Sequence, residues 1–290
     1  MREKFKIPQA DKFVGKGDIQ DPVFLESFGF TGGNSVLIDT LNTEEILAKI
    51  FHEKVGEPLE GELEKSLGDM ELIKNTVSAV KKFASEFGRT EFKDIPMSHI
   101  HFLEPGGVSR ITNGRLEIGA HSTIEGDILI EKRADLETAI TLFHEMWHLL
   151  GSYSAIQLTE DGKIAVYRSG FTTYSRDGVE NGFHHMDEGL TGIVTKRYVD
   201  EVLRKKPFFA KLIGDIEESG ETVDTTRIEE SAAIFKTADT LLQNTDKFHH
   251  KKDVIDALIK AQVTGNLLPI AKIIDENFGK GSFRKLGEIF

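Results

Sequence analysis

The sequence predicts an α+β fold: a small mixed sheet packed on a buried helix, followed by a mostly helical C-terminal half. Three observations carry that prediction. Apolar residues recur at three- and four-residue spacing before residue 88 and again after residue 187. Short apolar runs broken by Gly106-Gly107, Asn113-Gly114, Gly126 and Asp161-Gly162 lie between them. One stretch in the middle, 136–150, is apolar nearly all round. The order divides the 290 residues into an N-terminal extension with helices (1–95), a sheet with its central helix (96–180) and a helical remainder (181–290).

Residues 1–40 carry Gly15, Gly17, Pro22, Gly29 and Gly32-Gly33 between short apolar runs. They predict a segment draped over the body, with a strand at 35–38. Asn42 or Thr43 caps a helix whose apolar face is Ile46, Leu47, Ile50 and Phe51. A longer helix is expected from about Leu59 to Phe87, through Leu63, Leu67, Met70, Ile73, Val77, Val80 and Phe83, with Gly88 as its stop. Strands follow at 99–103, 115–118 and 127–130. Asp135 then caps a helix from about Leu136 to Leu150, ended by Gly151. Residues 154–158 and 163–167 flank Glu160-Asp161-Gly162 as a hairpin. From Asp187 onward the chain reads as helix, with breaks near Pro207, Gly220, 244–250, Gly265 and Gly279.

Composition narrows the function. The balance of 36 basic against 48 acidic side chains leaves a net charge of −12, which repels phosphate backbones and argues against nucleic-acid binding. No apolar run reaches the roughly 18 residues of a membrane span, and no apolar core follows the basic start, so a cytoplasmic address is the expectation. With no cysteine, disulfides, thiolate nucleophiles and iron–sulfur clusters are excluded, and any metal must use His, Asp or Glu.

The segment His144-Glu145-Met146-Trp147-His148 contains H-E-x-x-H on the predicted central helix. Spacing of i, i+4 puts both imidazoles on one face, a turn apart, where they can reach one tetrahedral ion. Glu145 lies beside them and can take a proton from water activated there without binding the ion. Leu136, Ile140, Phe143 and Trp147 flank the two histidines on the wheel, and Ala139, Leu142, Met146, Leu149 and Leu150 cover most of the rest. Buried ring nitrogens need partners, since an unpaired polar group costs about 1–3 kcal/mol. A metal satisfies one nitrogen of each ring; the alternative is a pair of core histidines bonded to backbone.

Downstream stands His184-His185-Met186-Asp187-Glu188-Gly189-Leu190-Thr191-Gly192. H-E-M-W-H followed by D-E-G-L-T, with Asp187 39 residues after His148, resembles the gluzincin clan of zinc metallopeptidases. The resemblance covers roughly residues 98–205. It implies a zincin-like fold, one zinc ion per chain held by His144, His148 and Glu188, and Glu145 as general base and acid toward a peptide or protein substrate. Asp187 stands where such strings often have Asn, and is read here as an N-cap. Thr191 is placed to bond a zinc-bound histidine, and Gly189 and Gly192 to let this helix approach the first closely. The alternatives are a metal-binding scaffold with a regulatory role and a non-peptidase metal-dependent hydrolase.

The remaining candidates are less specific. His99 and His101 alternate on a strand and are expected to face solvent, with a second metal pair as the alternative. His184, His185, Tyr153, Tyr174 and Tyr198 are the candidates for stabilising an oxyanion. His249-His250 reads as a solvated surface pair.

Overall fold

A computed structural model describes residues 12–14, 59–92, 95–112, 120–122, 127–158, 164–174, 180–225 and 227–289. The strand expected at 35–38, the helix expected after Thr43, the strand at 115–118 and the hairpin turn at 160–162 lie outside these. The described chain is mixed α and β, mostly helical, with two small sheets. No helix among the described residues is long and apolar enough to cross a membrane.

The first sheet has three strands in the order β2 (Ile100–Leu103), β4 (Ile128–Glu131), β3 (Ala120–Ser122). β2 runs parallel to β4, Ile100 opposite Ile128, whereas β3 runs antiparallel to it, Ala120 opposite Ile130. The second sheet orders β1 (Lys12–Val14), β5 (Ser154–Leu158), β6 (Ile164–Ser169), β7 (Thr172–Tyr174) and β8 (Glu180–Gly182). β5 and β6 form the expected antiparallel hairpin, with Leu158 opposite Ile164.

Helix α1 (Leu67–Glu86) starts eight residues later than its apolar period suggests. Ser66 and Asp69 close a capping box: Asp69 N donates to Ser66 Oγ at 3.1 Å, and Ser66 N to Asp69 Oδ2 at 2.9 Å. Ahead of it the backbone pairs with β2 instead, through a Glu62–Leu103 bridge and a 2.7 Å bond from Leu63 N to Phe102 O. A short helix α2 (Gly107–Ile111) follows β2. Helix α3 (Asp135–Met146) carries the motif. Its cap position is Ala134 rather than Asp135, which is the first helical residue. The helix then widens into one π turn, Trp147–Gly151, closed by Ser152 N donating to Trp147 O at 2.8 Å.

The core forms around α3. Phe143 stacks on Tyr198 at 4.2 Å between ring centroids and meets the edge of Phe83 at 6.0 Å, so α1 and α4 (His184–Glu201) clamp it from two sides. Beyond α4 come α5 (Pro207–Glu218), α6 (Ile228–Asn244), α7 (Lys251–Thr264), α8 (Leu268–Phe278) and α9 (Ser282–Ile289). Gly189 is where α6 crosses α4: a Cβ there would lie 2.7 Å from Glu230 O. The close approach that glycine permits is therefore to α6, not to the histidine helix. α9 closes over the start of α4, with Phe183 N donating to Gly287 O at 3.0 Å and the Phe183 and Phe283 rings 4.9 Å apart.

His99 and His101, expected at the surface, are buried, with His101 only 1% exposed. Carboxylates explain why burial is tolerated. His101 Nδ1 lies 2.9 Å from Glu62 Oε2, and Asp127 Oδ1 stands 3.4 Å from His99 Nδ1 and 3.6 Å from His101 Nε2.

Candidate metal centre

Helix α3 with its π turn crosses α4 so that three side chains converge. His144 Nε2 lies 3.2 Å from Glu188 Oε2, His148 Nε2 lies 3.3 Å from Glu188 Oε1, and the two Nε2 atoms are 3.2 Å apart. His144 and Glu188 are buried and His148 nearly so. Among the described residues these three are the His and carboxylate group able to hold a metal ion. A tetrahedral centre with bonds of roughly 2.0–2.1 Å places its ligands roughly 3.3–3.4 Å apart. The observed spacings fit, and the donor set of two imidazoles and a carboxylate suits a borderline-soft divalent cation.

The electrostatics favour positive charge where the three meet. Burial opposes a charged His148, but the Glu188 and Asp187 carboxylates outweigh it and raise its pKa well above the ordinary value. Burial also works against ionised Glu188. The charged His148 and hydrogen bonds from both imidazoles overcome that and hold its carboxyl far below the usual range.

Asp187 is not the N-cap the sequence suggests. α4 begins three residues earlier, after Phe183, whose left-handed backbone (φ 63°) is pinned by α9. That places Asp187 inside the first turn, buried, with Oδ2 3.3 Å from His148 Nδ1. A carboxylate on Nδ1 orients the ring and leaves Nε2 directed at the ion position. Its other oxygen accepts from Phe171 N at 2.7 Å, in a turn where Gly170 (φ 55°) leaves no room for a Cβ: one would sit 1.9 Å from Asp187 Oδ1. Thr191 does not reach a histidine either; its hydroxyl donates to Asp187 O at 2.8 Å.

Two contributors carry no local signal in the sequence. Gln262, fully buried on α7, donates through Nε2 to Asp187 Oδ1 at 2.8 Å and to Thr191 Oγ1 at 3.2 Å. Its Oε1 accepts from Trp147 Nε1 at 3.1 Å, so one amide ties the histidine helix to the glutamate helix. Arg227, immediately before α6, sends Nε to within 2.7 Å of Glu188 Oε2 from a left-handed backbone (φ 58°). Both are single polar residues without a spacing partner, which is why the sequence does not reveal them.

The other sequence candidates scatter. Glu145 is half-buried on α3, next in chain to His144. Tyr198 is in the core, its hydroxyl 3.2 Å from Thr76 Oγ1, and burial pushes the phenol up to about 12. Tyr153 packs on Gly265 and Arg168. Tyr174 is half-buried in β7. His184 is half-buried, while His185 is exposed with Nδ1 3.9 Å from Glu230 Oε1. His249 and His250 are exposed as expected, and both backbone amides donate to Asp253 at the start of α7. Comparison with family models, with curated proteins and with solved structures found no match.

Proposed function

We propose that this chain is a zinc-dependent metallopeptidase of zincin-like fold, with one zinc ion held by His144, His148 and Glu188. The observation that carries the reading is the meeting of both H-E-x-x-H imidazoles with the Glu188 carboxylate at 3.2–3.3 Å, with Asp187 behind His148. The short first sheet adds support. β3 is antiparallel to β4 and, among the described residues, has no strand on its other side, which suits it to hold an extended peptide by strand addition.

When bound, the cation polarises a carbonyl and lowers the pKa of water to near 7. Glu145 accepts the proton as water attacks the carbonyl carbon and passes it to the leaving amine. His144 and Glu188 stay buried, which keeps the local dielectric low where charge develops. Asp187 fixes the His148 ring through the reaction.

The test is elemental analysis of protein purified without chelator, followed by assay on a mixed peptide library. The expected result is about one zinc per chain and cleavage that disappears in Glu145→Gln while the zinc remains. Protein that neither carries nor takes up a divalent metal overturns the reading.

A further inference from the structure

We propose that Arg227 binds a carboxylate of the substrate one residue beyond the cleaved bond, so that the site selects peptides carrying negative charge there. The inference rests on the peptidase reading and adds its substrate class.

Arg227 is an exposed cation held at a buried donor group. Its side chain is 42% exposed while Glu188, which it touches at 2.7 Å, is 11% exposed. Nε lies 2.7 Å from Glu188 Oε2 in an ion pair, and Nη1 stands 3.7 Å from Glu230 Oε1. The side chain is exposed enough to be reached from solvent, and its planar fork matches a carboxylate in two-point geometry. The backbone is strained to achieve this: a non-glycine residue in the left-handed region is uncommon, and such strain concentrates at functional positions.

Distance selects which anion. Consecutive Cα atoms are about 3.8 Å apart, so a carboxylate on the residue after the scissile bond lies within about one residue length of the reacting carbon. Arg227 Nε lies 2.7 Å from a donor oxygen of the centre, within that reach. Net charge supplies the need: a chain at −12 repels an anionic peptide unless a local cation receives it. Glu230 stands beside Arg227, and His185 Nδ1 lies 3.9 Å from the same Glu230 Oε1.

The experiment measures binding to zinc-loaded Glu145→Gln protein, so that cleavage does not intervene. The probes are pools of N-acetylated tripeptides presented as free acids, as C-terminal amides, and as amides ending in Asp. Free acids are expected to bind at least about tenfold more tightly than plain amides. Amides ending in Asp that match the free acids show that a side-chain carboxylate serves as well as the terminal one; those that match plain amides assign the terminal one. In zinc-saturated protein Arg227→Gln removes the preference, and Arg227→Lys keeps part of it. Equal binding of free acids, plain amides and Asp amides, or a preference that survives Arg227→Gln, overturns the inference. Cleavage of the same pools by the wild-type protein separates the two readings. Cleavage indifferent to charge removes the inference alone; a carboxylate preference without cleavage removes the peptidase reading and leaves Arg227 as a carboxylate site with no cleaved bond beside it.

Discussion

Gln262 Nε2 and Asp187 Oδ1 are 2.8 Å apart, although 75 residues separate them in the chain. Through that bond the orientation of the buried carboxylate behind His148 depends on α7. The same Gln262 side chain receives the Trp147 indole N–H, so it fixes the two crossing helices relative to each other.

Gln262→Leu is therefore expected to harm both stability and the centre. It leaves the Trp147 Nε1–H without its partner, a loss of about 1–3 kcal/mol. It also frees Asp187, which should weaken zinc binding by roughly 10-fold. Thermal melts and chelator competition measure the two effects; a variant with unchanged zinc affinity would detach Gln262 from the centre.

Glu188 and Asp187 are expected to differ in kind. Glu188→Ala removes a donor and should empty the site. Asp187→Ala keeps all three donors and should cost roughly 10–100-fold in zinc affinity, with about 1–3 kcal/mol of stability lost because Phe171 N is orphaned. Chelator competition on both variants decides the matter. An Asp187→Ala protein that binds zinc normally would reduce Asp187 to a packing residue.

His101 makes stability depend on pH in a defined direction. Burial lowers its pKa, but Asp127 and Glu62 outweigh that and raise it above 6.5. The folded state thus holds the proton more tightly than the unfolded chain. The resulting stabilisation is fully present below about pH 6.5 and is lost as pH rises through the raised value. His101→Asn should lower Tm more at pH 6 than at pH 9. An equal loss at both would show that the ring only fills space.

Phe143 tests the packing that holds α3. It is fully buried between Tyr198, Phe83 and Trp147. Phe143→Ala should cost about 3–5 kcal/mol and Phe143→Leu much less. Denaturant melts of the metal-free protein read this without interference from the ion; a loss under about 1 kcal/mol would mean that the core collapses around the gap.

What the sequence revealed follows from how local each signal is. His144 and His148 are legible because a helix alone dictates that i and i+4 share a face, and the β5–β6 hairpin because its turn residues lie between two apolar runs. α1 starts later than its period suggests because Leu63 obeys the helical period yet pairs with Phe102, a contact no local pattern records. Asp187 was misread as a cap because the true start, Phe183, is held left-handed by Gly287, about a hundred residues away. His99 and His101 look like solvent-facing strand residues until Glu62 and Asp127 are brought beside them.

The clasp of Gly287 and Phe283 on Phe183 bears on how the molecule can be divided. Residues 135–201 contain every donor atom of the centre, and by motif alone they would make a natural excised unit. Such a unit would lack Arg227, Gln262 and the α9 contact that sets where the glutamate helix begins. The donors lie within one stretch of sequence while their alignment is distributed over the C-terminal half. Grafting the two helices elsewhere would transplant the ligands without the register that makes them a site.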